Sequence, residues 1–258
     1  TPHNEIALGG EDCEIYAIVM NPEKKGLSEV KDKVKTSTVT NTDLAKIKNP
    51  IYEKFIETTV DENGIFNSIK YKNDDKFNFA YDIVDEMAKK NPSKTAMVYL
   101  SELKEARRFT FKDMSDYSNQ TANYFKSLGI GKGDKVLVVL KRHYQFWFTI
   151  LALHKLGAII IPATHLLKDH DFEYRFNAAH CKAIVCTGTG DVADQAEFAA
   201  KRCPDLKIKV CVNGLIRNGW HDFNEELKAF PKEFEKPADY ACGDDTMLMF
   251  FTSGTTGY

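Results

Sequence analysis

The string Thr252-Ser253-Gly254-Thr255-Thr256-Gly257 holds the residues of this 258-residue chain best suited to chemistry. It follows Met247-Leu248-Met249-Phe250, an apolar run that reads as a buried strand. Gly254 and Gly257 admit positive φ and let a ligand approach the backbone. Successive amides in such a turn form a concave anion site, and four hydroxyls add donors that rotate to meet phosphate oxygens. The layout is that of a phosphate-binding loop. It is not the G-x-x-x-x-G-K-[ST] type, because its glycines stand three apart and no lysine follows in this sequence.

A second glycine pair competes with it. Gly188-Thr189-Gly190-Asp191-Val192-Ala193 fits G-x-G-x-x-A between a strand and a helix, which opens the alternative of a dinucleotide-binding α/β module. Asp191 counts against that, since its charge stands at the helix end where a pyrophosphate would lie. No acidic residue near Asn213-Gly214 is placed for a ribose, so a tight strand-to-helix turn is the plainer reading. His165, His170 and His180 match no zinc spacing, and no metal site is expected. The aromatic run His143 to Phe148 reads as helix core rather than as a platform for a base.

Thirty-five basic and 37 acidic side chains leave a net charge of −2, which gives no general attraction to nucleic acid or to an anionic membrane. Cysteines at 13, 181, 186, 203, 211 and 242 form no C-x-x-C pair and sit mostly in apolar runs, as buried thiols of a reducing compartment do. The start, Thr1-Pro2-His3-Asn4-Glu5, lacks the basic and apolar regions of a secretory signal. The longest apolar stretch, Phe146 to Pro162, is broken by His154 and Lys155. A cytoplasmic protein is expected, with the mitochondrial matrix also open.

The elements that must position these residues are uneven along the chain. Within residues 1–70, Glu14 to Met20 reads as a strand, Lys31 to Thr42 as a connector and Ile51 to Thr58 as a short helix; the segment is expected to be an N-terminal extension or linker. From Phe77 the pattern becomes regular. Asn78 caps a helix whose stripe is Ala80, Ile83, Val84 and Met87. Strands are expected at Thr95 to Leu100 and around Arg108-Phe109, and Thr110 with Asp113 approximates a capping box for a helix closed by Gly129. Strands at Lys135 to Leu140, Ala158 to Ile161, Ala183 to Cys186 and Ile208 to Val212 then alternate with helices at Tyr144 to Leu156, Asp169 to His180 and Val192 to Arg202. A short helix, Phe223 to Phe230, precedes the last strand. This grammar predicts an α/β fold, a mainly parallel sheet with helices on both faces. Ligands of such sheets bind beyond the carboxyl ends of the strands, which is where the Gly-rich string stands.

Residues 77–258 resemble the adenylate-forming (AMP-binding) enzymes, and among them the medium-chain acyl-CoA synthetases. Besides Thr252 to Gly257, the likeness lies in Phe77-Asn78-Phe79-Ala80-Tyr81-Asp82, Gly129-Ile130-Gly131-Lys132-Gly133-Asp134 and Ala152-Leu153-His154-Lys155-Leu156-Gly157-Ala158. It continues in Tyr174-Arg175-Phe176-Asn177-Ala178-Ala179, Cys203-Pro204-Asp205-Leu206 and Gly219-Trp220-His221-Asp222-Phe223. The resemblance implies ATP-dependent activation of a carboxylic acid (medium-chain fatty, branched or aromatic) to an acyl-adenylate, then transfer to coenzyme A, with Mg2+ accompanying ATP. It implies that Thr252, Ser253, Thr255 and Thr256 contact the phosphates while Gly254 and Gly257 shape the turn. It also implies that residues 71–258 are the first part of a large domain. The catalytic residues, with the adenine, ribose and acyl sites, are expected downstream of Tyr258. The 258 residues alone are then expected to be inactive. A non-catalytic half-domain completed by a second polypeptide is a further alternative.

Overall fold

A computed structural model describes residues 51–101 and 104–252. The expected strand at Glu14 to Met20 and the connector at Lys31 to Thr42 lie outside the described residues. Contacts divide the chain into two units, one built from residues up to Phe77 with Ile83–Met114, the other from Asn78–Asp82 with the chain from Ser115 onward.

The first unit contains two antiparallel hairpins. One joins β1 (Ile56–Val60) to β2 (Phe66–Tyr71), after a single 3-10 turn at Ile51–Lys54. This corrects the short helix expected at Ile51 to Thr58. Thr58, Thr59 and Val60 are β-branched and favour the extended pairing. The turn signal is Asn63-Gly64: Gly64 has φ +78°, and Asp61 Oδ1 accepts from the amides of Asn63 and Ile65 at 2.9 Å each. The second hairpin joins β3 (Thr95–Leu100) to β4 (Ala106–Thr110).

Asn78 caps as expected, its Oδ1 accepting from the amides of Ala80 (3.1 Å) and Tyr81 (3.4 Å). The helical segment that follows is a π-turn at Ala80–Asp85 leading into α1 (Glu86–Lys90). The expected stripe is only half realised: Ala80 and Val84 are buried, Ile83 and Met87 partly so.

The capping box opening α2 (Phe111–Ser127) is present in both directions. The Thr110 amide donates to Asp113 Oδ2 at 2.8 Å, and the Asp113 amide donates to Thr110 Oγ1 at 3.1 Å. Asp113→Ala removes one acceptor from an otherwise orphaned helix-end amide and should destabilise the protein by about 1 kcal/mol in urea unfolding. An unchanged midpoint would show that the box contributes nothing.

The second unit is a five-stranded, wholly parallel sheet. Its strands are β5 (Lys135–Val139), β6 (Ile159–Pro162), β7 (Ala183–Gly188), β8 (Ile208–Gly214) and β9 (His221–Asp222), in spatial order β6-β5-β7-β8-β9. The crossovers are α3 (Gln145–Leu156), α4 (Asp169–Ala179) and α5 (Val192–Ala200); α6 (Phe223–Glu226) follows β9. Alternate residues of each strand serve opposite faces. Val136, Val138, Ala183, Val185 and Val210 pack with Tyr124 and Phe125 of α2 and Leu153 of α3. Leu137, Val139, Ile161, Ile184 and Cys186 pack with Phe172 and Phe176 of α4 and Ala196 of α5. Helices therefore cover both faces, which is why β5 reads as an unbroken apolar run. Each fully buried Val or Leu there stabilises by about 1.5–3 kcal/mol before entropy is counted.

Candidate functional site

The approach to the Gly-rich string is fixed by one residue of β6. Ile160 donates its amide to Met247 O and accepts from the Met249 amide, both at 2.9 Å, forming a parallel bridge to Leu248. The chain at 247–252 therefore runs toward the carboxyl ends of the strands. Met249 and Phe251 turn inward onto the α4–α5 side of the core. The Tyr174 ring meets Phe251 edge-on at 5.7 Å, and the Arg175 guanidinium stands 5.2 Å over the same ring. Met247, Leu248 and Phe250 are 39%, 38% and 64% exposed. The buried strand expected at Met247 to Phe250 is thus corrected: the segment makes one bridge, and no described element covers its outer side chains.

Thr252 is exposed at the end of this segment. Ser253, Gly254, Thr255, Thr256, Gly257 and Tyr258 lie outside the described residues. The position expected for the catalytic residues, downstream of Tyr258, assigns none of the described side chains a catalytic role.

The rival glycine motif has a structural cause. A Cβ on Gly188 would overlap Asn213 O and stand 2.7 Å from Cys211 Sγ, while one on Gly214 would meet Gly188 C and O at 2.5 Å. Close approach of the β7 and β8 ends demands glycine at both positions. Asp191 is engaged by a cation instead: its carboxylate accepts from Lys168 Nζ at 3.2 Å, and that hydrogen bond keeps its pKa below the usual range. Among the described residues, no three His, Cys, Asp or Glu side chains converge to hold a metal ion. Burial pushes the Cys181 thiol up to about 12 and Cys186 well above its ordinary value, so both behave as apolar core groups rather than nucleophiles. Phe148 is buried and stacks on Tyr117 at 4.6 Å, in keeping with a core role for the aromatic run.

Residues 84–258 match the family model described as "AMP-binding enzyme". The chain belongs to that family. Among relatives, it is 33% identical over 195 residues to "Acyl-coenzyme A synthetase ACSM1, mitochondrial" of Mus musculus, covering 71% of this chain and 32% of that protein. It is 32% identical over 192 residues to "Acyl-coenzyme A synthetase ACSM4, mitochondrial" of Homo sapiens, covering 70% and 32%. The chain thus spans about a third of the length of the curated relatives it matches. Two solved structures share the fold at 23% identity. They are an anthranilate CoA ligase, AuaEII, in complex with anthranoyl-AMP (TM-score 0.60, covering 71% of this chain and 33% of that one) and a Brucella canis acyl-CoA synthetase (TM-score 0.62, covering 72% and 33%).

The sequence pattern missed one constellation. His143, Gln145, Thr187, Thr189, Asn213 and Asn224 join in a hydrogen-bonded cluster at the carboxyl ends of β5, β7 and β8. Scattered over 82 positions, counting 143 to 224 inclusive, they carry no common spacing.

Proposed function

We propose that this chain is part of an enzyme that activates a carboxylic acid with ATP and passes the acyl group to coenzyme A. The observation that carries the reading is a family-matched chain whose segment at 247–252 runs toward the carboxyl ends of the strands and is followed in sequence by a hydroxyl- and glycine-rich string. The proposed chemistry has two steps. A carboxylate oxygen bonds to the α-phosphorus of ATP as the bond to the β-phosphate bridge breaks, releasing pyrophosphate. The coenzyme A thiol then attacks the acyl carbon, losing its proton, and AMP leaves.

The proposed work of Thr252, Ser253, Thr255 and Thr256, with Gly254 and Gly257, is to hold the departing phosphates through hydroxyls and amides. Each charge-assisted hydrogen bond to them would contribute about 1.5–3 kcal/mol. Mg2+ would enter bound to ATP, as part of the substrate. Residues 71–258 would form the first part of the large domain, with residues 1–70 an extension and the catalytic groups downstream of Tyr258. The exposed Met247, Leu248 and Phe250 suit cover by the rest of that domain or a second polypeptide. The named relatives are mitochondrial; for this protein we propose a reducing compartment, cytoplasm or matrix, supported by four buried free thiols at Cys181, Cys186, Cys203 and Cys211. Medium-chain fatty, branched and aromatic acids are the proposed substrate class.

ATP–pyrophosphate exchange by the full-length protein, with hexanoate, isobutyrate and benzoate supplied separately, tests the reading. Label should enter ATP only when an acid is present, and AMP should appear once coenzyme A is added. Release of ADP, or exchange indifferent to every acid, would sink it.

A further inference from the structure

The sheet reverses its winding at β5 and β7: the chain leaves β5 for β6 on one side and leaves β7 for β8 on the other. Crevices of parallel sheets open at the carboxyl ends of two such strands. Lys141, Arg142 and His143 follow β5 there, and Thr187 to Gly190 close β7.

A continuous hydrogen-bond chain runs from this mouth into the core. Thr187 Oγ1 lies 2.8 Å from Thr189 Oγ1, accepts from the Thr189 amide at 3.1 Å, and lies 2.8 Å from His143 Nε2. His143 Nδ1 is 3.2 Å from Asn213 Nδ2. Asn213 Oδ1 accepts from Asn224 Nδ2 at 2.7 Å and from Gln145 Nε2 at 3.3 Å, and Gln145 Nε2 also donates to Asn224 Oδ1 at 3.0 Å.

Three carboxamides can each be turned over and the imidazole can exchange its proton, so the same distances would serve a chain running either way. The buried end decides between them. Gln145 is 2% exposed, and its Oε1 has no partner. Thr149 Oγ1, one turn further along α3, is also without a partner and so does not reach that position. Reversing the chain would place an NH2 there, and buried donors without acceptors are rarer than under-used carbonyl oxygens. Donation therefore runs outward from Gln145. His143 keeps its proton on Nε2 and gives it to Thr187. Both lone pairs of Thr187 are then used, by His143 and by the Thr189 amide, so its own hydrogen goes to Thr189. The Thr189 hydroxyl is left as the last donor of the chain, in the turn that follows β7.

A cation stands beside the next residue. Lys141 Nζ lies 3.6 Å from where a Cβ on Gly190 would be, and no carboxylate pairs with Lys141 among the described residues. We propose that this mouth is an oxyanion site built from residues other than the Gly-rich string. It takes a phosphate or carboxylate group through the Thr189 hydroxyl and the Lys141 ammonium, and the His143 relay fixes the direction of the Thr189 donor.

Long-range 1H–15N spectra of the full chain labelled at histidine read the relay directly. His143 should appear as the Nε2–H tautomer, and inorganic pyrophosphate should shift its ring nitrogens; acetate in place of pyrophosphate distinguishes a carboxylate site from a phosphate site. Thr189→Val and Lys141→Met should each weaken the response about tenfold or more, while Thr189→Ser, which keeps the hydroxyl, should preserve it. Lys141 is exposed, so its variant stays informative if Thr189→Val fails to fold. An Nδ1–H tautomer, silence toward both anions, or an undiminished response in Lys141→Met would overturn the proposal.

Discussion

Gly188→Ala and Gly214→Ala should each destabilise the protein by more than about 3 kcal/mol, or prevent folding, whereas Gly190→Ala should cost about 1 kcal/mol. The three glycines lie within one short stretch of sheet edge but face different surroundings. At Gly188 the new methyl would meet backbone oxygen and the Cys211 sulfur, and at Gly214 it would meet the Gly188 carbonyl group. Neither neighbour is the free end of a flexible side chain. Relief would require β7 and β8 to separate where their register already shifts, between Thr187 and Gly188. Gly214 adds a φ of +75°, a conformation that L-residues with a Cβ adopt at a cost. Gly190 shares that φ, but its nearest neighbour is the movable tip of Lys141. Urea midpoints of the three variants should fall in two groups. Equal, small losses would show that the strand ends yield easily and that packing does not explain glycine at 188 and 214.

Lowering the pH from 7 to 5 should remove about 2 kcal/mol of stability through His154. Burial in α3 pushes its pKa down to about 4, with the Asp82 carboxylate opposing the shift only in part. The unfolded chain takes up that proton near the ordinary histidine value of about 6.5. Between these two pKa values the unfolded state binds more protons than the folded one, so stability falls as pH falls. The contribution is intact above about pH 6.5 and gone below about 4. Asp191, Asp194, Glu197 and Asp245 have lowered pKa values and add their own losses in more acid solution. The window from pH 7 to 5 therefore lies above those carboxylates and contains the His154 contribution. His154→Leu should flatten the stability profile there; a profile with the same slope in variant and parent would assign the dependence elsewhere.

The parts of the fold that could be read from sequence were those where one local signal sufficed. Val136 to Leu140 is apolar on both faces because both faces are covered, and Gly157, at φ +72°, closes α3 where its glycine suggested. What could not be read depended on distant pairing. β9 is two residues long and exists because His221 and Asp222 fall beside Val210 and Cys211. The six-residue polar cluster assembles only after β5, β7 and β8 become neighbours. In the segment before Thr252, no sequence pattern indicated that Phe250 and Leu248 would face outward while Phe251 turned under Arg175.

Ile160 gives the segment at 247–252 a particular mechanical character. Among the described residues, both of its main-chain bonds to the sheet are made to this single residue, at the outer margin, rather than being shared along a ladder. Packing of Met249 and Phe251 against the core, rather than a hydrogen-bonded ladder, supplies the rest of its anchorage.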